Sequence, residues 1–157
     1  MLLDLENLFS NDQDLTAIAN ASGAAASTNI VDFGAAGTPH QAYGAMAYDK
    51  STGTWKPILV QITTTCTSGG SATLTVAVQV DNDSAFGSAQ TLYTSAAIAV
   101  ASLTAGYRFL IDKLPPLTAT QRADSRYMRL TYDVNTADMT AGTITAGFVG
   151  GLQTNFS

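Results

Sequence analysis

Few residues in this chain could carry chemistry unaided. Its 157 residues include one histidine, His40, and one cysteine, Cys66. A Ser–His–Asp nucleophile would need His40, which sits in the Gly/Pro-rich stretch GAAGTPHQAYG, and no serine stands in a nucleophile-elbow pattern. His40 reads as a solvated loop residue. Cys66 has no histidine partner by pattern. It shares the phase of Ile58, Val60, Ile62 and Thr64 and reads as a small core residue. A lone cysteine also excludes an internal disulfide and any multi-cysteine zinc site. Asp81 and Asp83 are close carboxylates, but glycoside cleavage needs two acids held across a cleft, and these lie in one turn. The same Asp81-Asn82-Asp83 could offer oxygens to calcium. An EF-hand loop, however, needs Gly at its sixth position and Glu at its twelfth, where this chain has Phe86 and Leu92. The segment reads as a turn whose side chains bond its own backbone. There is no P-loop and no GxGxxG. The expectation is a protein that is not an enzyme, with no catalytic residue, metal or cofactor.

The elements that would position any surface are strands. In 72–80, ATLTVAVQV, Leu74, Val76, Val78 and Val80 share one face at period two, and Thr73, Thr75, Ala77 and Gln79 share the other. Turn chemistry brackets the run: Ser68-Gly69-Gly70-Ser71 before it and Asp81-Asn82-Asp83-Ser84 after it. With ILVQITTTC ahead of the first bracket, the pair reads as a hairpin. RYMRLTYDV places Met128, Leu130, Tyr132 and Val134 inward, with Tyr127, Arg129, Thr131 and Asp133 outward. Ile144, Ala146, Phe148 and Leu152 fall in phase near the end, where Gly147, Gly150 and Gly151 suggest a bulge or a close backbone approach. STNIVDFG, 27–34, reads as a strand, as do AFGSAQTLYTS up to Tyr93 and YRFLI. AAIAVASL, 96–103, reads as a short buried strand, and Pro115-Pro116 marks a loop. About eight short strands suit an all-β, antiparallel two-sheet jelly-roll sandwich, with an immunoglobulin-type sandwich as the alternative. Residues 27–157 would form it. Residues 1–26 would be an N-terminal arm and linker, because ANASGAAAS cannot make a core of its own.

Composition agrees with strands. Only 12% of residues are charged, and one glutamate and three lysines stand against 22 threonines and 25 alanines. No apolar run approaches the roughly 20 residues that span a membrane. MLLDLENLFSND lacks the basic flank of a signal peptide, so a soluble protein made in the cytoplasm is expected. Net charge is −5, which argues against nucleic acid as partner. The charge is divided along the chain. Residues 1–49 hold Asp4, Glu6, Asp12, Asp14, Asp32 and Asp49 with no Lys or Arg, whereas Arg108, Lys113, Arg122, Arg126 and Arg129 crowd 108–129. That basic stretch is either a solvated rim or a surface that meets an acidic partner, such as the acidic segment of a neighbouring copy.

Three groups are therefore candidates for interaction. Leu2, Leu3, Leu5, Leu8 and Phe9 concentrate apolar surface in the expected arm, an intermolecular clamp over 1–15. Tyr43, Tyr48 and Trp55 lie in the long irregular connection 34–57, a length of loop that is usually functional or mobile. Arg108, Arg122, Arg126 and Arg129 supply the basic surface. Low charge, Thr/Ala faces and the apolar N-terminus imply self-association, a dimer first and a trimer next.

Four pieces taken in order resemble the capsid cement (decoration) proteins of short-tailed double-stranded DNA bacteriophages. They are MLLDLENLFSNDQ with AAASTNIVDFG; SATLTVAVQVDNDSAFGSAQTL; SAAIAVASLTAGYRFLIDKLPP; and RYMRLTYDV with TAGTITAGFV. Together they cover most of the chain. Residues 35–57 depart from the family pattern, which has a shorter connection there, and TATQRADSR is extended. The resemblance implies a jelly-roll fold, a place on the outer surface of the virion's icosahedral shell, association between copies, and the major capsid protein as partner. It brings no catalytic residue. The competing reading is a carbohydrate- or receptor-binding sandwich that uses Trp55, Tyr43 and Tyr48 as stacking platforms.

Overall fold

In the computed structural model, residues 7–19, 23–34, 57–115, 118, 120–121 and 125–149 are described. Strand β5, Thr73–Asp81, follows its alternation: Leu74, Val76, Val78 and Val80 are fully buried, and the Thr, Ala and Gln positions between them are half-buried. Strand β9, Tyr127–Asn135, lies antiparallel to it along its whole length, from Thr73 opposite Asn135 to Asp81 opposite Tyr127. Met128, Leu130, Tyr132 and Val134 meet the β5 valines inside. Thr131 differs from its expected exposure and is buried. It is mid-strand on a central strand, flanked by Ala77 of β5 and by Ala26 of β2, Ala25–Ala26. Neighbours on both sides suffice to cover a side chain that small.

The remaining strands are β1, Leu8–Asp14; β3, Val31–Asp32; β4, Ile58–Ser68; β6, Gln90–Thr94; β7, Ile98–Ala99; β8, Arg108–Ile111; and β10, Met139–Phe148. All recorded pairings are antiparallel. One sheet, A, has the order β1-β10-β4-β8. The other, B, has β2-β9-β5-β6, with β3 also on β9 and β7 also on β5. The chain is thus an all-β protein with two sheets around one core. The pairings nest: β1 with β10, β2 and β3 with β9, β4 with β8, β5 with β6 and β7.

Four expectations change. First, β4 and β5 do not form a hairpin. The turn Ser68–Ser71 carries the chain from sheet A to sheet B, because β5 has β9 on one side and β6 and β7 on the other. Two strands that each bury one face against the same core satisfy the same alternation as a hairpin does. Second, AAIAVASL is not a buried strand. It gives only Ile98–Ala99 and a 3-10 turn over Val100–Ser102, and Leu103 alone is fully buried. Third, STNIVDFG yields only the two-residue strand β3, though Val31 and Phe33 are buried.

Fourth, the N-terminal segment belongs to the sandwich from Leu8 onward. β1 pairs with β10, and Leu8, Phe9, Leu15 and Ile18 are buried. Phe9 packs against Phe148 with ring centroids 5.0 Å apart, and Phe33 meets the same ring at 6.2 Å. The polar residues of this segment hide the strand signal, because they bond inward. Ser10 Oγ lies 2.7 Å from the hydroxyl of Tyr132 and donates to Gln13 Oε1. Gln13 in turn donates to the Ala26 carbonyl and accepts from Thr28. An edge strand of sheet A is thereby stitched to the edge of sheet B.

Sheet A is less regular. Its β10–β4 register shifts between Met139 and Ile144. Cys66 is buried as expected, but Thr64, expected in the same phase, is exposed: the register shifts on both sides of it, and the two shifts together return Cys66 to the inward phase. A bulge or close approach was expected at Gly147, Gly150 and Gly151; β1 shifts register opposite Gly147, and a close approach occurs at Gly142, which was not among them. Its φ is +140°, and a Cβ placed there would lie 2.5 Å from Cys66 Sγ. Gly147 is buried opposite Leu8 and Leu59. Leu152, Gly150 and Gly151 lie outside the described residues.

Candidate interaction surface

The candidate residues divide between the two sheets. Arg108 is on β8, an edge strand of sheet A, opposite Gln61. It is exposed, and its guanidinium makes no hydrogen bond or ion pair with a described residue. Arg126 and Arg129 belong to sheet B, at the start of β9. The stretch 108–129 is therefore not one basic patch: its described arginines lie on different sheets.

Arg126 is largely committed within the molecule. Its Nε and one terminal nitrogen each sit 3.1 Å from a carboxylate oxygen of Asp32, and its guanidinium lies 4.7 Å from the centre of the Tyr127 ring. The bond to Asp32 holds its pKa above the ordinary value. Both partners are over two-fifths exposed, so this pair contributes little stability. Its effect is to fix a fork-shaped cation beside a tyrosine at the first residue of β9.

Arg129 is held differently. It points away from the core of β9 and is half-buried. Its Nε donates to Gln79 Oε1 at 2.9 Å, and the guanidinium stacks 4.2 Å above the centre of the Phe86 ring. Burial lowers its pKa, and the Asp81 charge works in the opposite direction. Asp81 is itself fully buried, and its carboxylate accepts from the amides of Asp83 at 3.0 Å and Ser88 at 2.8 Å. Asp83 accepts from Ala85. The Asp81–Asp83 segment is thus the self-bonded turn that its residue types imply. It places Phe86, at φ +53°, under Arg129. Sequence reasoning made Arg129 an interaction candidate, but neither Phe86 nor Gln79. Gln79 was legible, because it shares Arg129's outward phase on the neighbouring strand. Phe86 was not, since a loop aromatic carries no periodicity.

Among the described residues, the outer face of sheet A carries no such feature. It is rich in threonine, and its hydroxyls bond one another: Thr63 with Thr143 and Thr67 with Thr140, each at 2.8 Å. Thr145 accepts from the Asp12 amide. Leu8 and Phe9, expected in an intermolecular clamp, are buried within the sandwich. Leu2, Leu3, Leu5, Tyr43, Tyr48, Trp55, Arg122 and His40 lie outside the described residues. Among the described residues, no group of three or more His, Cys, Asp or Glu side chains could hold a metal, and no helix is long and apolar enough to cross a membrane.

A family model described as Bbp16 matches residues 9–148. The chain belongs to the Bbp16 family. The Bbp16 match runs from the second residue of β1 to the last of β10, so it takes in both edge segments and the whole of the β5–β9 pair. It also includes Arg108, Arg126, Arg129 and the turn under Phe86. Against curated proteins, no match to the chain was found.

Proposed function

We propose that this chain is a phage capsid cement protein. In this reading it binds the outer surface of the icosahedral shell and bridges neighbouring major capsid subunits, and its copies associate with one another. The observation that carries the reading is where the four resembling pieces fall. They take in β1, β2 and β3; β5 and most of β6; β7 and β8; and β9 with β10, and β4 alone of the described strands falls outside them. The resemblance therefore rests on the strand framework and not on one local motif. The nested pairing supports the finer fold as well. If β2 with β3, and β6 with β7, are each taken as one interrupted strand, eight strands pair first with last, second with seventh, third with sixth and fourth with fifth. That is how a two-stranded ribbon rolls into a jelly roll. The Bbp16 name also suggests a phage protein.

Bridging a shell takes many weak contacts on a rigid body, where multivalency multiplies a modest gain per copy. The anchored arginines Arg126 and Arg129, with Tyr127, have the residue types that dominate protein interfaces. Leu2, Leu3 and Leu5, ahead of β1, are proposed as a shorter apolar clamp than the one expected over 1–15. The test is co-sedimentation with empty phage shells, run beside a glycan titration of the free protein. Saturable shell binding supports cementing. Glycan binding without shell binding would replace it with the carbohydrate-module reading.

A further inference from the structure

Along β9, the outward positions of sheet B run Arg129, Thr131, Asp133. Arg129 and Asp133 are four residues apart on one extended strand, about 13 Å, too far to pair within one molecule. The Arg129 guanidinium is held at Nε by Gln79 and from below by Phe86, and its two terminal nitrogens make no hydrogen bond with a described residue. Asp81, the acid that acts on it electrostatically, already engages two backbone amides. Asp133 is half-buried, and its carboxylate makes no hydrogen bond or ion pair with a described residue. Between the two charges lies a row of small uncharged side chains: Ala26, Thr131, Ala77 and Thr94, each opposite the next on adjacent strands.

We propose that this face is self-complementary and takes a second copy of the chain. A two-fold axis in the interface plane, running across the strands above Thr131, reverses β9 in the second copy. It sets each Arg129 against the other copy's Asp133, giving two ion pairs. Gln79 then faces the second copy's Thr75, and the Ala26–Thr131–Ala77–Thr94 row faces itself, which allows close approach of two sheet faces. The Arg126–Asp32 pair, already neutral, faces the uncharged strand end beside the second copy's Asn135. Such a contact is isologous and closes as a dimer. A preordered guanidinium loses less freedom on pairing than a free one. The inference rests on the reading that copies associate and is independent of the shell.

The test is charge exchange, read by sedimentation equilibrium across a concentration series at low salt. Wild type should dimerise. Arg129→Asp and Asp133→Arg should each weaken the dimer by at least about tenfold, because like charges then face each other. Mixing the two variants should restore a dimer, since every facing pair is again opposite in sign, and so should the double exchange in one chain. Asp133→Arg changes only an outward side chain and keeps the fold. Its dimer should partly return as salt screens the repulsion, a readout that needs no second variant. A wild type that stays monomeric at high concentration would overturn the contact. So would a dimer indifferent to both single changes, although association through another surface would then stand.

Discussion

The hydroxyls of Ser10 and Tyr132 lie 2.7 Å apart although the residues are 122 positions apart in sequence. Both are fully buried, and the bond crosses from sheet A to sheet B. Ser10→Ala should cost about 1–3 kcal/mol, because it strands a buried phenol. Adding Tyr132→Phe should cost less than the sum of the two single changes. A double-mutant cycle by urea unfolding checks this. Strict additivity would mean that the two hydroxyls are not coupled.

The same burial predicts an alkaline limit. Desolvation raises the Tyr132 pKa far above its ordinary value of 10.0, with Ser10 opposing weakly, and burial raises Cys66 above 9.0. The unfolded chain therefore releases these protons at a lower pH than the folded one. Their contribution is fully present below the ordinary values of 9.0 and 10.0 and is lost as pH rises from there through the raised folded-state values. Unfolding free energy should decline above that point, and Cys66→Ala with Tyr132→Phe should flatten the decline. A slope unchanged in the double variant would assign the loss to other groups.

Gly142 should resist substitution. Its φ of +140° disfavours any side chain, and a Cβ would meet Cys66. Gly142→Ala should destabilise by about 1–3 kcal/mol. Cys66→Ala should recover part of this by removing the sulfur, but not the backbone component. Thermal melts of the two single variants and the double separate the components, and full rescue would show that the strain is entirely in the side-chain contact.

Phe148 joins the N-terminal strand to the core through Phe9 and also meets Phe33. Phe148→Ala should cost about 3–5 kcal/mol. Deleting residues 1–15 removes β1, Phe9 and Leu15 together, and should abolish the cooperative near-native β spectrum. A truncated protein that melts like the parent would return the segment to the status of an arm.

Long, regularly alternating strands were legible because their burial is one-sided. Leu74 to Val80 and Met128 to Val134 lie as their residue types require. What the sequence concealed was partnership. Alternation reports which face is buried but not which strand lies beside it, so the Ser68–Ser71 turn looked like a hairpin. β1 was hidden because its buried Ser10 is satisfied by Tyr132, far along the chain, and its Gln13 by Ala26 and Thr28 on the edge of the other sheet. Of the candidate surface, Arg126 and Arg129 were visible as charges. Their separation from Arg108, and the seat that Phe86 gives Arg129, depended on the tertiary fold.

The nesting of β1 on β10 has a kinetic consequence. Asp12 meets Thr145 across 133 positions of sequence, so sheet A is incomplete until nearly the whole described chain is available. Such non-local pairing belongs to the slow end of single-domain folding, in milliseconds to seconds. While β10 is absent, β4 has lost the neighbour it has in the finished sheet, leaving an apolar strand with an open edge. A nascent chain is most prone to aggregate in that interval, so late stalling of synthesis should harm yield more than an equal delay after release.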